Sequence, residues 1–287
     1  MVRVGPMNEL TLTAGDWKFR VLEEGSRGGR TVLLLHGFPE SADEWTAQLD
    51  FLGRAGFRGI APDQRGYSAG ARPVGVDAYG IDDLVADVLG ICDDLDVARF
   101  DLVGHDWGAI VAWVIAARHP ARVRTFTAVS VPHPEAFADA YASPSSEQRA
   151  MSSYIDVFRS EGLDGERMLG GEDGSGIRAL FEQQGLSSDA AAAHAAVHQQ
   201  PGALTAALNW YRATHPTMMR GVPPVTVPTL FVWSPLDPAI SRDAAEGCVR
   251  YVNGPFRFDV LPSAGHWIPE LAAEAFNPLL LEHLQAY

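Results

Sequence analysis

The stretch from Phe100 to Ala117 constrains this 287-residue chain more than any other. An apolar run, Phe100 to Val103, passes straight into Gly104-His105-Asp106-Trp107-Gly108, and a second apolar run of nine residues, Ala109 to Ala117, follows at once. The first run has the texture of a strand covered on both faces, the second that of a helix buried beneath a sheet. A strand that turns into a helix within five residues, with glycine on both flanks of the turn, presents the residue at its tip to whatever lies above the sheet edge. That residue is a carboxylate, Asp106.

Strand and helix signals alternate over most of the remaining chain, which favours an α/β fold with a mainly parallel sheet. Leu10 to Thr13 and Lys18 to Leu22 predict short strands around a turn at Gly15-Asp16, and Thr31 to Leu35, Gly59 to Ala61 and Val123 to Val131 predict further ones. Trp45 to Leu52 and Ile81 to Leu95 carry apolar residues at helical spacing. From Pro132 to Gly221 the strand signals vanish. Gly and Ser cluster over Gly162 to Gly176, with Gly170 to Gly176 reading as a flexible loop, and Asp189 to Ala196 is an Ala-rich helical stretch. Strand texture returns at Pro228 to Trp233 and Phe256 to Leu261, followed by a terminal helix from Pro269. The expected organisation is a core in two parts, residues 1–131 and 222–287, interrupted by a helical lid, residues 132–221, over the carboxyl ends of the strands, where open α/β sheets bind ligands.

Composition narrows the function classes. The longest apolar run is about half of the roughly 18 residues a membrane-spanning helix needs, and Met1 to Leu10 lacks the apolar stretch of a secretion signal. With 22 basic and 36 acidic residues the net charge is −14, a field that repels phosphate backbones and anionic lipid, so nucleic acid is excluded as an expected partner. Cys92 and Cys248 make no metal-ligand pair and read as buried thiols in a reducing cytosol. His194 and His198 stand four apart on a helix, without the glutamate of HExxH or an evident third ligand, so neither a metal nor a cofactor is expected.

A carboxylate at the tip of such a turn suits displacement at a saturated carbon, forming an ester that water then hydrolyses. Hydrolysis needs a base for the water and donors for the oxyanion that develops on the former carboxyl group. His266, in the Gly-supported loop Ser263-Ala264-Gly265-His266-Trp267 after the last strand, is the candidate base. Asp237, just past Pro228 to Trp233, is the candidate for orienting its imidazole. His36-Gly37-Phe38-Pro39 ends the first buried strand, where the Phe38 amide could face the turn opposite the Trp107 amide and complete an oxyanion hole. Taken singly, these residues also read as a helix-capping Asp, a turn Asp before proline, a polar loop His and an ordinary Gly-Pro turn.

HGFPE at 36–40, DQRGYS at 63–68, GHDWGA at 104–109 and GHW at 265–267 together resemble the α/β-hydrolases of the epoxide hydrolase group, over the core from about residue 18 onward. The resemblance implies an eight-stranded, mostly parallel sheet with helices on both faces, a helical lid, the chain order nucleophile, acid, His, and opening of an epoxide to a vicinal diol. It also implies two lid tyrosines that donate hydrogen bonds to the epoxide oxygen. Tyr211, in Leu208-Asn209-Trp210-Tyr211-Arg212, resembles the second, and Tyr154, in Tyr154-Ile155-Asp156-Val157-Phe158, is similar to the first. Haloalkane dehalogenases share the Asp and the following Trp, but many have Asn where Phe38 stands; fluoroacetate dehalogenases resemble GHDRG, with Arg where Trp107 stands. Dehalogenation and a catalytically idle ligand-binding relative remain the alternatives. The expected partner is a small apolar electrophile, with a homodimer left open.

Overall fold

The computed structural model describes residues 7–171, 174–215 and 219–287. Eight strands form one sheet: β1 (Asn8–Ala14), β2 (Trp17–Glu24), β3 (Thr31–Leu35), β4 (Arg58–Pro62), β5 (Phe100–His105), β6 (Val123–Val129), β7 (Thr229–Trp233) and β8 (Phe256–Val260). Their spatial order is β1-β2-β4-β3-β5-β6-β7-β8. Only β1 with β2 and β2 with β4 run antiparallel; β4, β3, β5, β6, β7 and β8 are parallel. Every residue of β3, β4, β5 and β7 is buried, the pattern of strands covered on both faces, whereas the edge strand β8 is only partly buried.

Core helices α1 (Thr46–Arg54), α2 (Ile81–Asp94) and α3 (Trp107–Arg118) alternate with these strands, and α3 is buried from Trp107 to Ala116. Between β6 and β7 come α4 (Pro134–Ala142), α5 (Gln148–Met151), α6 (Tyr154–Arg159), α7 (Asp164–Gly170), α8 (Ser175–Gln183), α9 (Ser188–His198) and α10 (Ala203–Ala213). Then follow α11 (Arg242–Gly247), α12 (Ile268–Leu271) and α13 (Ala273–Ala286). No helix among the described residues is long and apolar enough to cross a membrane.

Two sequence expectations change. Gly170 to Gly176 is not a loop throughout: α7 reaches Gly170 and α8 begins at Ser175, while residues 172 and 173 lie outside the described residues. Gly176 is there for contact rather than looseness, since a Cβ on it would lie 2.2 Å from the Met168 carbonyl oxygen. The terminal helix is two helices, α12 and α13, separated at Ala272.

The chain moves outward from β3 to β4, then returns past β3 to β5. That reversal opens a crevice at the carboxyl ends of β3 and β5, the place where open α/β sheets bind ligands. The glycines of the β5–α3 turn make the crevice by their lack of a side chain. Neither Gly104 nor Gly108 has a positive φ. A Cβ on Gly108 would sit 2.1 Å from the Leu35 carbonyl oxygen, and one on Gly104 would sit 2.4 Å from the Gly108 carbonyl oxygen. The backbones of β3, β5 and α3 therefore touch directly. Gly108→Ala is expected to destabilise the fold by about 1–3 kcal/mol through overpacking against backbone that cannot rotate away. A urea midpoint equal to that of the parent would contradict this account of the turn.

Candidate active site

Asp106 occupies the tip of the β5–α3 turn with φ 48° and ψ −119°, a backbone state that costs a non-glycine residue about 1–3 kcal/mol. The turn is held because the Asp106 carbonyl accepts the amides of Ala109 and Ile110 at 3.0 and 3.1 Å, starting α3. Opposite it, the loop after β3 comes unusually near: a Cβ on Gly37 would lie 2.5 Å from the Asp106 Cβ. This approach lets the Phe38 N–H donate to Asp106 Oδ1 at 2.9 Å. Trp107 is the first residue of α3, where an amide has no intrahelical carbonyl to bond.

The other carboxylate oxygen, Oδ2, lies 3.7 Å from His266 Nε2. The opposite ring nitrogen, Nδ1, lies 3.0 Å from both Asp237 oxygens, which assigns the Nδ1–H tautomer and leaves Nε2 facing Asp106. Asp237 Oδ1 also accepts the Ala239 amide at 2.8 Å, and Oδ2 accepts the Ser130 hydroxyl at 2.5 Å. Asp106, Asp237 and His266 are all buried, although 130 residues lie between the first and the second. Burial alone would lower the His266 pKa, but the Asp237 carboxylate more than compensates and the pKa is raised. For Asp237 burial works upward, and the charge of His266 with its hydrogen bonds brings the carboxyl below its ordinary value.

Tyr154, at the start of α6, and Tyr211, on α10, line the same cavity as Asp106 and His266, with ring centroids 6.5 Å apart. Phe38 and Trp107 pack edge-on against Tyr211 at 5.2 and 5.0 Å. Burial first, then neighbouring negative charge that includes Asp106, pushes both phenols well above their ordinary pKa, so both keep their protons. The helices carrying them are tied to the core loops: His198 Nε2 donates to the Pro39 carbonyl at 2.7 Å, and Trp210 Nε1 donates to the Arg65 carbonyl at 2.9 Å. Arg65 is itself held by a bidentate pair with Asp87 at 2.6 and 2.7 Å. His194 and His198 do not act as a pair; His194 meets Glu270 at 3.2 Å. Asp259 is elsewhere, on β8, paired with Arg257.

Three contributors carry no role assigned from sequence, although Glu40 ends the HGFPE stretch. Ser130, at the end of β6 with φ 68°, joins Asp237 to His266, its hydroxyl being 3.0 Å from Nδ1. Glu40 and Glu44 lie beneath the turn around His105, whose Nδ1 is 3.0 Å from Glu40 Oε2 and 3.4 Å from Glu44 Oε2. Glu44 also accepts the Gly37 amide at 3.2 Å. Burial and the Glu40 charge push the Glu44 carboxyl well above its ordinary value; burial alone would do the same to Glu40, but its hydrogen bond with Glu44 and the charge of His105 bring it below. His105 Nε2 lies 3.1 Å from the His266 carbonyl, so both its ring nitrogens face acceptors, which favours the charged ring; Glu40 outweighs burial and raises its pKa.

The family model for the alpha/beta hydrolase fold matches residues 30–273. The chain is 35% identical to the AB hydrolase superfamily protein YfhM of Bacillus subtilis, with 92% of this chain and 93% of that one covered. It is 31% identical to epoxide hydrolase A of Mycobacterium tuberculosis over 98% of each chain. A solved structure of novel epoxide hydrolases from metagenomes of hot environments superposes with a TM-score of 0.85 at 29% identity, covering 98% of this chain and 99% of that one. An order-reversing parallel sheet, a carboxylate at its strained turn and full-length similarity to these proteins agree: the chain belongs to the α/β-hydrolase family and is similar along its whole length to epoxide hydrolases.

Proposed function

We propose that this protein is an epoxide hydrolase that works through an ester on Asp106. The observation that carries the reading is the asymmetry of the Asp106 carboxylate. Oδ1 is engaged by the Phe38 amide, whereas Oδ2 faces His266 in the cavity lined by Tyr154 and Tyr211. Oδ2 attacks a ring carbon, the C–O bond on that carbon breaks, and the leaving alkoxide takes a hydrogen bond and then a proton from the tyrosine pair. Oδ1 is then the carbonyl oxygen of the new ester. It already lies against the Phe38 amide, and the Trp107 amide at the start of α3 is the second donor for the oxyanion.

His266, oriented by Asp237 and Ser130, takes a proton from water as the water oxygen attacks the Asp106 carboxyl carbon. Collapse of the tetrahedral intermediate expels the ester oxygen, which takes the proton from the His266 imidazolium to complete the vicinal diol. The proton left on the Asp106 carboxyl returns to the tyrosinate, restoring the carboxylate, the imidazole and both phenols. No metal or redox partner enters these steps. Residues 132–221 serve as the lid, bringing Tyr154 and Tyr211 over the nucleophile and keeping bulk water from it. The surroundings assigned to the protein are a reducing cytosol, consistent with the two buried free thiols, and its partner is a small apolar molecule, consistent with the predominantly apolar cavity.

His266→Gln should let alkylation proceed but slow hydrolysis by about 10²–10⁴-fold, the usual worth of a general base. Intact-protein mass spectrometry should then find the parent mass plus one epoxide, located on Asp106; an unmodified protein under turnover conditions would contradict the covalent route. Tyr211→Phe should reduce the rate of alkylation by about 10- to 100-fold, the worth of a hydrogen bond to a charged oxygen, as read by stopped-flow quenching of tryptophan fluorescence.

The base must be neutral to accept a proton, so kcat should fall as pH drops through the His266 pKa. Asp237→Asn removes the charge that raises this pKa, so the acidic limb of the kcat profile should move to lower pH while the plateau decreases. A limb that stays in place, or moves to higher pH, would contradict the assignment of His266 as the titrating group.

A further inference from the structure

The cavity around Asp106 consists of two unequal lobes. The larger, about 240 Å3, is walled by Phe38, Phe158, Leu169, Leu180 and Trp267, with Met168 and Gln184 at its outer side. The smaller, about 20 Å3, is closed by Ile110, Phe137, Ile155, Met219 and Ile240. Asp106, Tyr154 and Tyr211 line both, so the reacting groups stand at the junction.

A single water needs about 10–15 Å3 of such space. The smaller lobe therefore has room for little more than a hydrogen, a methylene or a methyl group, and the larger lobe is the roomier of the two. The small lobe also resists widening. Ile110, Phe137, Ile155 and Ile240 are each at most 7% exposed, so making room for a ring there means displacing core packing. The outer side of the large lobe is different: Met168 is 56% exposed and Gln184 half-buried, so an extended group can run out toward solvent between α7 and the end of α8. Among the described residues neither lobe is lined by Lys or Arg that would neutralise a carboxylate on the arm.

We propose that the substrates are terminal epoxides bearing one uncharged apolar arm, which lies in the lobe lined by Phe158 and Leu180 while the unsubstituted ring carbon faces the lobe closed by Phe137 and Met219. This rests on the reading of Asp106 as the nucleophile of epoxide opening, and adds what that reading lacks, the substitution pattern of the ring. An internal epoxide with a bulky group on each ring carbon needs two large lobes; this site has one.

The experiment compares kcat/KM of the full-length protein for styrene oxide, with one phenyl arm, and for trans-stilbene oxide, with a phenyl group on each carbon. Styrene oxide should be favoured by at least about 100-fold, about 2.7 kcal/mol of discrimination in the transition state. Met219→Ala and Phe137→Ala should each lower that ratio by about tenfold or more, because a second ring gains space. Met219 is half-buried, so its variant keeps the test open if Phe137→Ala does not fold. An epoxide whose arm ends in a carboxylate should react more slowly than its methyl ester. Equal or faster turnover of trans-stilbene oxide, an unchanged ratio in the folded variants, or a faster acid than ester overturns the proposal while leaving epoxide hydrolysis standing. If none of these epoxides is turned over, both the proposal and the function on which it rests fail.

Discussion

The backbone of Asp106 is the constraint from which the rest of the site follows. A non-glycine residue at φ 48° is held only where its surroundings leave no alternative, and here they come from three directions. Below, α3 starts on the Asp106 carbonyl; at the side, Gly108 and Gly37 allow β3 and its following loop to approach within contact; in front, the Phe38 amide fixes one carboxylate oxygen. The same approach selects which oxygen is free to react. A side chain on Gly37 would push the loop back, and with it the Phe38 amide that distinguishes Oδ1 from Oδ2.

Much of this was legible in sequence because the signals are local. The Phe100–Ala117 stretch carries strand, turn and helix in order, and β3, β5 and β7 are short buried strands whose apolar runs stand between clear turn residues. The residues after those strands, Phe38, Asp106 and Asp237, lie near the same sheet edge because parallel strands share their direction, so chain order alone assembles them. What could not be read is contact across long separations. Ser130 looks like any residue ending a strand until the β6–β7 pairing sets it beside Asp237. Gly176 reads as a loop former because composition cannot distinguish a glycine needed for turning from one needed for close approach to α7. Glu44 follows the same logic. An acidic residue in a short helical turn reads as exposed, yet it is 1% exposed and its carboxyl is pushed well above its ordinary value.

The buried Glu40–Glu44–His105 group connects parts that the catalytic residues leave separate. Glu44 holds the amide of Gly37, next to the oxyanion donor at Phe38, and His105 holds the carbonyl of His266. The loop that carries Phe38 and the loop that carries His266 thus share one set of hydrogen bonds. Burying ionised groups is costly unless they are paired and fully bonded. Here burial and the Glu40 charge push the Glu44 carboxyl up, while Glu40 and His105 favour each other's charged forms, so pairing offsets part of the cost of burial. Charge on His105 also lowers the His266 pKa, opposing the rise caused by Asp237. The base is therefore balanced between the Asp237 carboxylate on one side and the His105 ring on the other.

That balance changes as the reaction proceeds, because the Asp106 charge acts on every group that must move a proton. In the free enzyme it raises the pKa of His266 and of both Tyr154 and Tyr211. The proposed ester would remove that charge, with the following consequences. The phenols become stronger acids at the moment when the epoxide oxygen requires a proton, and the imidazole shifts toward its neutral form before it must deprotonate water. On the proposed route the ordering of the two half-reactions follows from one electrostatic event: bonding at Oδ2 removes a charge that adds to burial in holding the tyrosine protons and that favours a protonated His266. A neutral nucleophile such as serine would provide no such change on alkylation. On this argument the carboxylate contributes twice, as the atom that bonds to carbon and as the charge whose disappearance readies the acid and the base.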